Sequence, residues 1–259
     1  MDYFYTFVLL LLSLTPSCLA TTIVVIRTPK HLVVGADSLV VNWHTPEVPA
    51  HFYTCKLHKQ ESMLFVIQGM GIVHRKTNFS AERLARQAIS SSSSLKQAAV
   101  QFVRTSSAPY ARVMRDLKTQ DPSGWSLVAQ HHGTGIPLIA IFFGFEGGVP
   151  KYVVAGLRVN EGTTLSVSSD TASCPGRACE GLVESAIVIG QAEAAYHQVG
   201  SMDQMSLTNF RHARGDLRAV ETIIALEESA VPDSVGGPIR IVTLDAEGEH
   251  WTPGASACK

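Results

Sequence analysis

Two runs of β-branched residues open the ordered pattern of the chain. Thr22-Ile23-Val24-Val25-Ile26 and Leu32-Val33-Val34 flank Thr28-Pro29-Lys30-His31, which predicts a hairpin ending near Val41. Residues 42–54 hold Trp43, His44, Pro46, Pro49 and His51 without a clean period, and predict a loop. Cys55–Glu61 and Met63–Ile67 predict a second strand pair, closed by Gln68-Gly69-Met70-Gly71. Ser80 is a good N-cap for helix formers running through Ala88, and the serines 90–94 predict a turn. Two short helices follow, Leu95–Val103 and Pro109–Leu117, the second with proline at an allowed first-turn position.

Ile136–Phe145 is apolar throughout, as a buried strand would be, and Lys151–Val159 is its expected partner across Glu146-Gly147-Gly148-Val149-Pro150. Thr163–Ser169 is a further β-prone piece. Residues 179–198 and 209–229 predict two helices. Leu182, Ala186 and Ile189 line one face of the first, and Leu217, Val220, Ile224 and Ala225 one face of the second. Pro238–Leu244 and His250-Trp251 predict a last hairpin. The order of strands, helices, strands, helices and hairpin predicts an α+β fold. Its expected form is a four-layer αββα sandwich, two antiparallel sheets face to face with helices on both outer faces. No internal repeat is present.

The first twenty residues change the picture. Phe7–Leu14 is an apolar run too short to span comfortably, and Cys18 and Ala20 occupy the −3 and −1 places of a cleavage site. Met1–Tyr5 carries no Lys or Arg, so only the α-amine is positive there. Pro16 stands where a lipoprotein site has a small residue. The expected organisation is therefore a signal peptide over 1–20 and a single domain over 21–259, secreted or periplasmic, with no membrane contact after cleavage. A 46% hydrophobic and 17% charged composition describes a globular chain, and a formal net charge of −1 gives no sign of a polyanion partner, so nucleic acid is not expected. Ten histidines make the charge more positive in acid.

After such a cut Cys55, Cys174, Cys179 and Cys258 remain, which allow three pairings. The turn-rich Cys174–Cys179 stretch favours a local bridge, with Cys55 and Cys258 left over. No His pair sits at ligand spacing near these cysteines, so a metal site is not expected. His44, His51, His58, His131 and His132 read as loop or surface histidines, and Asn78-Phe79-Ser80 is a glycosylation sequon.

Cleavage after Ala20 would make Thr21 the first residue, with a hydroxyl and a free α-amine on one side chain and backbone. The amine can take the hydroxyl proton, so the nucleophile carries its own base. That amine titrates at about 8, so a nearby Lys that favours its neutral form and stabilises developing negative charge is needed. An Asp would hold the Lys, and a backbone N–H, best from Gly, would face the oxyanion. Asp37, Lys56 and Gly69 are the candidates.

Thr21-Thr22, a hydrophobic strand, a short turn and Gly35-Ala36-Asp37-Ser38 resemble the start of proteasome β-type subunits, which are N-terminal-nucleophile hydrolases. Cys55-Lys56-Leu57-His58-Lys59, followed by a strand ending Gly69-Met70-Gly71, is similar to the run that carries that family's lysine and oxyanion glycine. The resemblance implies Thr21 as nucleophile, Asp37 and Lys56 as its partners, and Gly69 near the oxyanion. Leu165–Ser169 loosely resembles the family's serine run, which implies Ser169 beside the terminal amine. Asp233–Gly237 is similar to the segment before a late strand, but Val235 and Pro232 stand where the family has Ser and Asp. Family members are intracellular and expose Thr by removing their own propeptide, so a secreted relative is implied and ring assembly does not carry over. The expected activity is threonine-type hydrolysis of a peptide or amide substrate, without a cofactor, in a monomer or homo-oligomer. Two alternatives stand beside it: an inactive binding or assembly module of the same fold, and an unrelated α+β protein anchored by an uncleaved leader.

Overall fold

The computed structural model describes residues 21–41, 51–69, 72–73, 79–123, 125–126, 137–161, 165–200 and 204–258. Residues 1–20, expected as a signal peptide, and His44, Pro46, Pro49, Met70, Gly71, Asn78, His131 and His132 lie outside them.

The fold is α+β, with two five-stranded antiparallel sheets and helices. The first sheet is built on β1 (Thr22–Arg27), whose six residues are all buried. Such a run is stable only where both faces are covered. β2 (Leu32–Ala36) pairs with it on one side and β12 (Ser185–Gly190) on the other, and β13 (Arg240–Asp245) and β14 (Gly248–Trp251) complete the sheet beyond β2. The second sheet runs in the order β11 (Ser166–Cys174), β10 (Val149–Asn160), β9 (Pro137–Glu146), β6 (Met63–Gly69), β5 (His58–Gln60). Two small pairs accompany them: β3 (Leu39–Val41) with β4 (His51–Tyr53), and β7 (Ile72–Val73) with β8 (Phe79–Ser80).

Three buried clusters follow the alternation of the strands. Ile23, Val25 and Val34 share one cluster with Leu64, Val66, Ile141 and Phe143, so it draws on both large sheets. The opposite face of the second sheet, with Phe65, Phe142 and Val153, packs with α1 (Ala81–Ser90) and α2 (Leu95–Gln120) through Ala85, Ile89, Phe102 and Tyr110. The opposite face of the first sheet, with Val24, Ile26 and Val33, packs with α3 (Glu193–Val199), α4 (Gln204–Arg214) and α5 (Asp216–Ala230). The approach of α5 is close. A Cβ on Gly35 of β2 would lie 2.3 Å from Val220 Cγ1.

Several expected elements differ. The helix expected over 179–198 is a strand, β12, followed by the short α3. Ile187-Val188-Ile189 is a β-branched run within a strand that pairs along the whole of β1, and a short apolar run satisfies either period. The two helices expected over 95–117 are one, α2, with Pro109 inside it. Phe102, Ser106, Tyr110 and Val113 keep one buried face running through the proline, and that burial outweighs the lost hydrogen bond. The helix expected over 209–229 is divided at Gly215, whose φ of 81° is outside the helical region. Part of the loop expected over 42–54 is β4, at residues 51–53.

Candidate functional site

The hairpin register builds the site. Thr28 closes the first turn: its hydroxyl accepts the N–H groups of Lys30 and His31, and its own N–H donates to the His31 carbonyl. That turn fixes Ile23 opposite Ala36. Asp37, the next residue, therefore arrives beside Thr22 at the start of β1. The Asp37 N–H donates to the Thr22 carbonyl, and the Thr22 N–H donates back to Asp37 Oδ1 at 2.9 Å. A slip of one residue would send Asp37 to the other face.

Lys56, just before β5, completes the group. Its Nζ lies 2.8 Å from Thr21 Oγ1 and 2.9 Å from Asp37 Oδ1. The other carboxylate oxygen of Asp37 accepts the N–H groups of Leu39 and Gly236. Thr21 is 7% exposed, Asp37 1% and Lys56 6%, so the three polar groups meet almost without water. Burial pushes the Lys56 ammonium below its ordinary range, against the pull of Asp37. Burial likewise pushes the Asp37 carboxyl up, against Lys56 and the N–H groups of Thr22 and Gly236. The ammonium can lower the cost of negative charge on Thr21 Oγ1, and Asp37 fixes where the ammonium sits.

The backbone of Thr21 is gripped from its other side by β12. Gln191 N–H donates to the Thr21 carbonyl at 3.0 Å, and the Thr22 hydroxyl donates to the Gln191 carbonyl. Gly190 lies opposite Thr22 with a φ of 98°, and a Cβ there would stand 1.9 Å from the Thr21 carbonyl oxygen. Only glycine fits. The sequence pattern did not point to Gly190 or Gln191. The signal was a glycine directly after a β-branched run, hidden by the helical spacing of 182, 186 and 189.

Gly69 ends β6 with a φ of 94°, exposed, in a conformation that glycine adopts without strain. β5 and β6 run antiparallel with His58 opposite Phe65, so Gly69 lies at the end of the second sheet where Lys56 enters it. Ser169 is elsewhere. It is an exposed residue of β11, paired opposite Leu157, at the far edge of that sheet from β5. The segment after β12 is the one bonded to the Thr21 carbonyl, through Gln191. The late segment is present at the site through Gly236, whose carbonyl also accepts from Ser38 and Leu39. His58 is not a surface residue. It is 9% exposed and stacks on Phe65, and burial pushes it down to about 4.

Cys55 is bonded to Cys258 and Cys174 to Cys179. Such bridges belong to oxidising compartments. Among the described residues no group of three or more His, Cys, Asp and Glu is placed to hold a metal ion, and no helix is long and apolar enough to cross a membrane.

Comparison with known proteins adds little to this geometry. No protein-family model matches the chain, and no curated protein does. Among solved structures it is similar to a Gly-1 mutant of Anbu from Hyphomicrobium sp. strain MC1, at 15% identity and a TM-score of 0.42, over 90% of this chain and 86% of that one.

Proposed function

We propose that the chain is an N-terminal-threonine hydrolase of amide or peptide bonds, made active by cleavage after Ala20. One observation carries this reading: Lys56 Nζ sits between Thr21 Oγ1 and Asp37 Oδ1, within hydrogen-bond distance of both, in a site closed to water. A buried lysine–aspartate pair costs desolvation, and a structural role alone is served as well by apolar residues.

In the proposed reaction Thr21 Oγ attacks the substrate carbonyl, and its proton passes to the freed α-amine of the same residue. Lys56 stabilises the charge that develops on Oγ, and the Gly69 N–H faces the carbonyl oxygen. The amine then protonates the leaving nitrogen, the C–N bond breaks, and an ester to Thr21 remains. Water, deprotonated by the same amine, hydrolyses the ester and restores the hydroxyl. The substrate class is a peptide, on the family resemblance of residues 21–71. The same reading takes the fold as the four-layer αββα sandwich, supported by one core cluster shared between the sheets and one on the outer face of each. It takes the mature protein as secreted, supported by the two disulfides.

The test is a chain prepared with Thr21 as its first residue and treated with an electrophilic β-lactone. The expected product is an ester on Thr21 Oγ, located by mass spectrometry, and absent from a Thr21→Ala variant. A chain that stays unmodified, or is modified equally in Thr21→Ala, would leave an inactive module of this fold as the better reading.

A further inference from the structure

The turn that follows β12 grips Thr21, and the helix that turn leads into is capped from elsewhere in the chain. Gln191 N–H donates to the Thr21 carbonyl, and the Gln191 carbonyl accepts the Thr22 hydroxyl. Ala192 then stands at the N-cap of α3, with a φ of −149° and a side chain that carries no acceptor. The first N–H groups of a helix need acceptors, and Ser, Thr, Asp or Asn in that place would supply one locally. Here the acceptor comes from α5. Glu227 Oε1 accepts the Ala195 N–H at 2.7 Å, and the Ala194 N–H bonds to the same carboxylate. The next residue of α5, Glu228, accepts the Gly237 N–H, beside the Gly236 N–H that donates to Asp37.

Glu227 is 0% exposed, and its Oε2 meets no hydrogen-bond partner. Burial pushes its carboxyl up, against the Ala195 and Ala194 N–H groups; Glu193 adds to the rise and His197 opposes it. A charge buried in this way costs desolvation, and a polar side chain at 192 would cap α3 without it. A cap at 192 would not tie the turn to α5, and α5 rests on the hairpin that begins at Thr21. Val220 and Ile224 of α5 press on Gly35 of β2 and share a cluster with Val24 and Ile26 of β1. We propose that Glu227 is a positioning residue for Thr21, holding the first turn of α3 so that Gln191 fixes the Thr21 carbonyl and with it the hydroxyl beside Lys56. This rests on the function proposed above for its effect on rate, though not for the placement of Gln191 itself. Glu227 acts through the backbone from Ala195 back to Gln191, which lies one residue past the last pair of the β1–β12 ladder, Thr22 with Gly190.

The chain starting at Thr21 is compared with Glu227→Met, Glu227→Gln and a control, Glu221→Gln, which changes a glutamate of α5 paired with Arg218. Methionine keeps the volume and removes the acceptor, whereas glutamine keeps one acceptor oxygen. The primary readout is hydrogen exchange at the Gln191 amide, followed by NMR, with Val188 of β12 as internal reference. Glu227→Met is expected to speed exchange at Gln191 at least roughly tenfold, as loss of a charge-assisted hydrogen bond does, and to leave Val188 unchanged. The maximal rate of β-lactone esterification of Thr21 is expected to fall roughly 10- to 100-fold, with the half-saturating concentration unchanged. Glu227→Gln is expected to recover part of both, a recovery that loss of packing would not give. Should Glu227→Met fold poorly, Glu227→Gln is read in its place, with the same direction expected in both measurements. The control is expected to match wild type. Unchanged Gln191 exchange, an equal change in the control, or esterification at the wild-type rate while Gln191 opens overturns the inference. A wild-type chain that β-lactone never modifies, with Gln191 exchange still responding to Glu227, sinks the hydrolase reading and leaves the placement of Gln191 standing.

Discussion

Lys56 is charged or neutral at the discretion of its surroundings, and those surroundings are almost dry. Burial lowers its affinity for a proton in the folded chain, whereas the unfolded chain binds one up to about pH 10.4. Between the lowered folded value and that limit the unfolded state holds more protons, so the stability this group contributes rises with pH. Lys56→Met removes the titration. Denaturant midpoints measured from pH 7.5 to 10 are expected to rise more steeply for wild type than for Lys56→Met, and a parallel pair of curves would show that the burial effect is absent. The same variant is expected to lose about 10²- to 10⁴-fold in Thr21 esterification, the usual range for a positioned proton or charge partner. Methionine keeps the length of the stem, so a loss of rate without a loss of fold separates the two consequences.

At the scale of elements, the turn at 28–31 and the end of β12 do complementary work. One sets Asp37 beside Thr22; the other closes on the Thr21 carbonyl through Gln191. The close contact sits at Gly190. Gly190→Ala would place a methyl group against the Thr21 carbonyl oxygen, which is backbone and cannot step aside, and would do so at a φ that alanine resists. The expected outcome is a cost of more than about 1 kcal/mol in denaturant unfolding, with a larger proportional loss of Thr21 esterification. An alanine variant as stable and as reactive as wild type would mean the two strands are not in this register.

Half of this site was legible in the sequence because half of it is local. Asp37 and Lys56 were placed through the resemblance of residues 21–38 and 55–71 to the proteasome-type run, and the register of the first hairpin, with Ile23 opposite Ala36, is what brings Asp37 to Thr22. Gln191 is 169 residues from Thr22 and Gly190 one fewer, and both reach it through the pairing of β12 with β1. The local pattern misleads there, since Leu182, Ala186 and Ile189 fit a helical face and the strand shows its type only in pairing. Ser169 was chosen on motif likeness. Its strand turns out to be an exposed, serine-rich edge, which local composition alone does not separate from a strand at the site.

Taken as a whole, the first sheet has two unlike ends. At one, Thr21, Asp37 and Lys56 meet. At the other, β1 closes in Arg27, buried and bonded to the carbonyls of Pro150 and Val183, and the turn is moored to the helices through His31, Asp216 and Arg211. Burial lowers the Arg27 proton affinity, yet no reaction is asked of it. It fastens the strand that Thr21 begins. The strand is interior to its sheet: every residue from Thr22 to Arg27 has a neighbour on β12, and from Ile23 on β2 as well.

That placement has a consequence for timing. A peptidase needs an extended stretch on both sides of the bond it cuts, and here the residues after Ala20 are 7% and 0% exposed and locked between strands. If the proposed cleavage after Ala20 takes place, it must come before folding, while β1 is still unpaired. A precursor refolded with residues 1–20 attached is expected to resist the signal peptidase that cuts its unfolded form, and equal rates of cutting would reverse the order. Under the proposed function, a chain that folded before that cut would keep Thr21 inside a peptide bond, without the free amine the reaction needs.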